Sequence, residues 1–154
     1  MLVAIEKAIL ETAPNMVVVF GDTNSTLSGA LAAVKLHVPV AHIEAGLRSY
    51  NRQMPEEVNR VMVDYVSTLL FCPSEADVGR LGKEGLVNGI LEVGDVMKDA
   101  IRLFLPIALK RDEVLARRGL KPGEYAVATL HRPSNVDTPG NAPKILDELD
   151  GIGL

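Results

Sequence analysis

Four short apolar runs recur along this sequence, each closed by turn residues and each separated from the next by a stretch of helical periodicity. That alternation constrains the fold more than any other feature. Met16 to Phe20 contains three valines and ends in Gly21-Asp22-Thr23. Val38 to Ile43 ends at Glu44-Ala45-Gly46, Thr68 to Cys72 is closed by Pro73, and Ile90 to Val93 is closed by Gly94-Asp95. Short β-branched runs bounded in this way read as strands. Helical patterns cover Val3–Thr12, Thr26–Leu36, Pro55 to about Val66, and Glu75 to around Gly85. Pro55 suits a first helical turn, Glu56 and Glu57 suit its dipole, and Ser74 suits an N-cap. Strands that alternate with helices form βαβ units and a parallel sheet. The strands are almost continuously apolar, which predicts helices on both sheet faces. The expected class is α/β, with a parallel sheet.

Beyond Gly94 the pattern changes. Val96 to Arg118 reads as one long helical stretch, broken or kinked at Pro106, and its second half is heavily charged. The Lys121-Pro122-Gly123 turn leads into a fifth expected strand, Tyr125 to Leu130, and a last helix over Asn141–Leu149. A charged connector followed by a fresh strand resembles a domain junction. The single βα unit after it is too small to bury a core of its own.

Composition narrows the function. The chain has 154 residues, 47% of them hydrophobic, and a net charge of −4. It lacks the basic footprint of a nucleic-acid binder, and six aromatics with no Trp make a poor base-stacking platform. One cysteine, Cys72, allows no internal disulfide and no Cys-rich metal site. No apolar run approaches the roughly 18–20 residues of a membrane span. Glu6, Lys7 and Glu11 interrupt the N-terminal stretch, so it does not read as a signal peptide. A cytoplasmic location is expected.

In open parallel sheets, ligands bind beyond the carboxyl ends of the strands. Four polar clusters stand at such places. Gly21-Asp22-Thr23-Asn24-Ser25-Thr26 reads first as a helix-capping set. His42-Ile43-Glu44-Ala45-Gly46-Leu47-Arg48 sets a carboxylate at a strand end beside a glycine, suited to acid/base work or to a Glu44–Arg48 pair. His42 alternates to the opposite face from its neighbours and reads as a packed histidine. In Met54-Pro55-Glu56-Glu57-Val58-Asn59-Arg60, Glu56 and Arg60 lie four apart, so a surface ion pair is the default. His131-Arg132-Pro133-Ser134-Asn135 offers a His and an Arg able to hold a phosphate, or an ordinary polar loop. There is no Gly-x-Gly-x-x-Gly fingerprint and no phosphate-binding Gly-Lys-Ser/Thr loop.

The succession Gly21-Asp22-Thr23, His42 to Arg48, Met54 to Arg60 and His131-Arg132 resembles the non-hydrolysing UDP-N-acetylglucosamine 2-epimerases in order and spacing. Two positions depart from the family pattern: Ser134 stands where an acid is common, and Tyr65 where a His is common. The resemblance implies the GT-B arrangement of two Rossmann-like domains. It implies interconversion of UDP-GlcNAc and UDP-ManNAc by elimination of UDP and its re-addition, with no cofactor and no metal. It assigns the family's catalytic carboxylates to Asp22, Glu44 and Glu56, and substrate binding to Arg60, His131 and Arg132. On this reading residues 1–95 are the rear of the N-terminal domain, 96–123 an interdomain connector, and 124–154 the start of the C-terminal domain. The chain would then be a central portion of a longer enzyme, inactive alone. The full-length protein is expected to bind a UDP-sugar as a homodimer, without nucleic acid or membrane. The alternatives are a hydrolysing epimerase that releases UDP and ManNAc, and a non-catalytic sugar-nucleotide-binding remnant.

Overall fold

The computed structural model describes residues 1–111 and 113–151, without the side chains of Pro133 and Ser134. The elements run in the order α1 (Leu2–Thr12), β1 (Val17–Phe20), α2 (Asn24–Lys35), β2 (Val40–Ile43), α3 (Pro55–Val66), β3 (Leu69–Cys72), α4 (Glu75–Lys83), β4 (Ile90–Glu92) and α5 (Val96–Ala108). Three further helices follow: α6 (Glu113–Arg117), α7 (Pro133–Val136) and α8 (Asn141–Asp150). Two compact units result, Met1–Ile101 and Arg102–Leu154.

The first unit is built on a four-stranded sheet, ordered β1-β2-β3-β4, with every pair parallel. Val19, His42, Leu70 and Ile90 are register partners and so share one face. Against that face pack Ile9 of α1, Ala30, Ala32 and Ala33 of α2, and Val63 of α3. The small alanines let α2 approach the strands closely. A second cluster joins Ala45, Leu70 and Cys72 to Leu81 of α4. Fully burying a side chain such as Leu70 or Leu81 contributes about 1.5–3 kcal/mol.

Coverage of both sheet faces, expected from the apolar strands, does not occur at the edge strands. Val18, Phe20 and Leu91 are 60%, 48% and 46% exposed. The cause is topological. Strands laid down in sequential order by right-handed crossovers put their connecting helices on one side. Only β2 is buried on both faces along most of its length.

Two other expectations change. Pro106 lies inside α5 and does not break it. It falls in the last turn, where a proline deletes one hydrogen bond, and the ladder resumes with Leu109 N–H donating to Leu105 O at 2.9 Å. The helix ends just beyond, where the Lys110 and Arg111 N–H groups donate only three residues back, to Ile107 O and Ala108 O. Tyr125 to Leu130 forms no strand, and Val127 is 81% exposed. A strand needs a partner to satisfy its backbone, and no second strand of this unit lies among the described residues. Among the described residues, no helix is long and apolar enough to cross a membrane.

Candidate active site

The first unit gathers its polar side chains at the carboxyl ends of β1 and β2. After Phe20 the chain turns through Gly21, whose φ of +67° is left-handed. A Cβ there would meet Glu44 Oε2 at 3.2 Å, so glycine leaves room for that carboxylate. Thr23 caps α2, accepting from Thr26 N–H at 3.3 Å, and Thr26 Oγ1 donates to Phe20 O at 2.6 Å. The capping reading of this segment therefore fits Thr23 but not Asp22. The Asp22 carboxylate instead meets Arg60 of α3, Oδ2 lying 2.9 Å from Nη2.

Glu44 follows β2 directly and adopts φ +72°, a left-handed conformation that costs a non-glycine residue of order 1–2 kcal/mol. Its N–H donates to Phe71 O at 3.1 Å, which ties the turn to β3. Its Oε2 lies 3.2 Å from the same Arg60 Nη2. One guanidinium nitrogen thus bridges two carboxylates from neighbouring strand ends. The three side chains are 24%, 23% and 13% exposed for Asp22, Glu44 and Arg60, so they are shielded yet reachable. Arg60 Nε is buried and has no hydrogen-bond partner among the described residues. Two acids around one base carry a net negative charge, suited to accepting and returning a proton.

Neither default ion pair forms. Arg60 turns to Asp22 and Glu44, and the side chain of Glu56, half-buried in the first turn of α3, makes no hydrogen bond or ion pair among the described residues. Arg48 bypasses Glu44. Its Nη1 lies 2.7 Å from Asp64 Oδ2, and its Nη2 lies 2.7 Å from Glu84 Oε2. Burial alone would lower the Arg48 pKa, but these two carboxylates raise it above its ordinary value.

The supporting roles of three residues were not legible in the sequence. Asn59 Nδ2 donates to Asp22 O at 2.9 Å and to Asn24 Oδ1 at 3.0 Å, so α3 grips the Asp22 turn by backbone as well as by charge. Glu57 accepts from Ser49 N–H, Ser49 Oγ and Tyr50 N–H at 2.7, 2.8 and 3.1 Å, closing the loop between β2 and α3. Asp64 is wholly buried beneath His42 and Arg48. The spacing of Arg60 and Asp64 puts them on one helix face, and an acid on the buried face of an amphipathic helix was the available signal. His42 is packed as expected, at 0% exposure.

His131 and Arg132 belong to the second unit. Both are exposed, and their side chains make no hydrogen bond or ion pair among the described residues. Arg132 O accepts from Asn135 N–H at 2.8 Å as α7 begins. The Ser134 side chain lies outside the described residues. Tyr65 donates its hydroxyl to Glu84 O at 2.9 Å. No group of three His, Cys, Asp or Glu among the described residues is placed to hold a metal ion.

The sequence matches the family described as UDP-N-acetylglucosamine 2-epimerase over residues 1–153. The chain belongs to that family. It is 47% identical over its whole length to a UDP-2,3-diacetamido-2,3-dideoxy-D-glucuronate 2-epimerase of Pseudomonas aeruginosa, spanning 43% of that protein. A UDP-N-acetylglucosamine 2-epimerase of Methanocaldococcus jannaschii is 45% identical over 99% of the chain, which spans 42% of the relative. The crystal structure of a M. jannaschii UDP-GlcNAc 2-epimerase in complex with UDP-GlcNAc and UDP superposes on 98% of the chain with a TM-score of 0.89. A Rickettsia bellii UDP-N-acetylglucosamine 2-epimerase, 28% identical, gives 0.81 over 96% of the chain. The chain thus spans less than half the length of the relatives it matches.

Proposed function

We propose that this chain is the central part of a 2-epimerase acting on a UDP-activated 2-acetamido sugar, interconverting UDP-GlcNAc and UDP-ManNAc. The observation that carries the reading is the Asp22–Arg60–Glu44 cluster at adjacent strand ends. Inversion at C2 must break a C–H bond that no carbonyl activates, so direct deprotonation is not feasible. Elimination solves this: a carboxylate removes the C2 proton, C1=C2 forms, and the C1–O bond to UDP breaks with its electrons on UDP. Re-addition reverses each step, with the proton delivered to the other face of C2. Asp22 and Glu44 hold or return that proton, and Arg60 keeps both oriented. Glu56, with a free carboxylate, is a third acid/base candidate.

On this reading residues 1–95 are the rear of the first domain, 96–123 the connector and 124–154 the front of the second. His131 and Arg132 bind the UDP side of the ligand from there. The partner is a UDP-sugar, with no cofactor, and the full-length protein is a cytoplasmic homodimer. The isolated chain, lacking most of the second domain that its relatives' length implies, turns over no substrate.

The diacetamido-glucuronate relative favours a second reading, in which C3 and C6 carry other substituents while the C2 chemistry is unchanged. The test is a chimera carrying this chain in place of the matching segment of the M. jannaschii epimerase. Incubated with UDP-GlcNAc, it is expected to yield UDP-ManNAc without net loss of UDP-sugar. Stoichiometric release of UDP and ManNAc would establish the hydrolysing alternative. Binding without either product would establish the non-catalytic one.

A further inference from the structure

A second polar cluster, buried except at its outer member Glu84, lies beside the Asp22–Arg60–Glu44 group. Its centre is His42, on β2 two residues before Glu44. His42 Nε2 is 2.8 Å from Gly21 O, and Nδ1 is 2.6 Å from Asp64 Oδ1. A carbonyl oxygen can only accept, so Nε2 carries a proton. One further proton lies in the short contact between Nδ1 and Asp64. The other Asp64 oxygen accepts from Gly46 N–H at 3.2 Å and from Arg48 Nη1 at 2.7 Å. Arg48 Nη1 also donates to Leu47 O at 2.8 Å, and Nε and Nη2 donate to Glu84 at 2.8 and 2.7 Å.

The charges close. With the shared proton on His42, two cations face two anions. With it on Asp64, Arg48 alone faces Glu84. The cluster is neutral either way, which removes most of the penalty of burying it.

Its bonds end at informative places. Gly21 immediately precedes Asp22. Gly46 follows Glu44 by two residues. Asp64 lies one turn along α3 from Arg60. All three members of the neighbouring cluster are therefore anchored, through the main chain, to His42 and Asp64. The turns leave the strand conformation: Gly21, Glu44 and Gly46 all have positive φ, at +67°, +72° and +83°. Backbone bonds from Gly21 N–H to Ile43 O and from Glu44 and Ala45 N–H to Phe71 O tie them to the neighbouring strands, and the bonds of His42 and Asp64 add a second tie.

We propose that His42 is the positioning residue of the carboxylate pair, fixing the Asp22 turn through Gly21 and the Glu44 turn through Asp64, without touching substrate. The meaning of the pair rests on the epimerase reading, but the tie itself does not, and its test needs no activity.

The experiment is side-chain NMR of the 154-residue chain, unsubstituted and with two replacements. His42→Gln carries an amide to about the Nε2 position and keeps the Gly21 bond. His42→Asn carries one to about the Nδ1 position and keeps only the Asp64 bond. In the unsubstituted chain, His42 should show a protonated Nε2 and a slowly exchanging, far-downfield proton at Nδ1. Arg60 should give resolved, slowly exchanging guanidinium protons. His42→Asn should average the Arg60 signals while thermal unfolding stays cooperative. His42→Gln should restore them at least in part. A packing role alone would lower the melting temperature and leave the Arg60 signals unchanged in both variants, which would overturn the proposal. Should a variant not fold, the unsubstituted spectrum decides: an unprotonated Nε2 overturns the tie, and a protonated one beside a protected Nδ1 proton upholds it.

Discussion

Replacing Gly46 by alanine should disable the turn that carries Glu44, and the cost follows from two local features. The first is the backbone. Gly46 has φ +83°, where a Cβ costs about 1–2 kcal/mol. The second is space. The new Cβ would lie 2.8 Å from Asp77 O and 3.0 Å from Asp77 Cβ, and the nearer atom is backbone that cannot swing aside. Overpacking of this kind costs about 1–3 kcal/mol. The sum is about 2–5 kcal/mol, a large share of the roughly 5–15 kcal/mol that holds a domain folded. Gly79 is the internal control. It lies within α4, and a Cβ there meets nothing within 4 Å. Gly79→Ala should stabilise by about 0.5–1 kcal/mol, because alanine is the better helix former. Urea titration of both variants reads the difference directly. With a slope of about 1–3 kcal/mol per molar urea, Gly46→Ala should lower the midpoint by roughly 0.7–5 M, about 2 M at mid-range. A loss below about 1 kcal/mol, or equal responses at the two positions, would refute the claim that Gly46 is packed against Asp77 in a left-handed turn.

Two further outcomes follow from titrating groups. Burial pushes the Glu57 carboxyl up, but the Ser49 and Tyr50 donors and the nearby Arg48 charge outweigh it and hold it below its ordinary value. A carboxyl with a lowered folded-state pKa adds stability above its unfolded pKa and loses it as pH falls through the folded value. Glu57→Gln should therefore flatten the acid side of the stability curve, measured as urea midpoint against pH; an unchanged acid limb would count against the loop closure. The Cys72 thiol is wholly buried, and that burial, with the nearby Asp64 and Asp77 charges, pushes its pKa up to about 11. It should resist a chromogenic disulfide reagent at mildly alkaline pH until urea unfolds the chain; rapid reaction of the native protein would contradict the packing.

The sequence was most informative where interactions are local. Three valines before Gly21 and a proline after Cys72 mark strands whatever surrounds them, and the four parallel strands lie within two residues of the expected bounds. Asp22 and Glu44 were legible as strand-end acids because parallel sheets present their carboxyl ends to ligands. Arg60 was legible as a residue but not as a bridge. Four-residue spacing pointed it at Glu56, whereas the fold brings two strand ends within its reach. Arg48 escaped similarly, since Glu84 is far from it in sequence. The segment from Tyr125 to Leu130 has strand composition but no strand to pair with among the described residues of its unit, and composition alone cannot supply one. His42 was legible as packed; its two hydrogen bonds depend on Gly21 and Asp64, which only tertiary structure brings to either end of the ring.

The central claim is that the Asp22–Arg60–Glu44 cluster moves the proton at C2 of the sugar. The most direct test is incorporation of solvent deuterium at C2 of UDP-GlcNAc by the chimera with the M. jannaschii epimerase, compared with its Glu44→Gln, Asp22→Asn and Arg60→Met variants. The account predicts exchange by the parent chimera. It predicts a fall of about 100-fold or more in at least one carboxylate variant and in Arg60→Met, with UDP-GlcNAc still bound. Deuterium entering C2 at the parent rate in all three variants would contradict it.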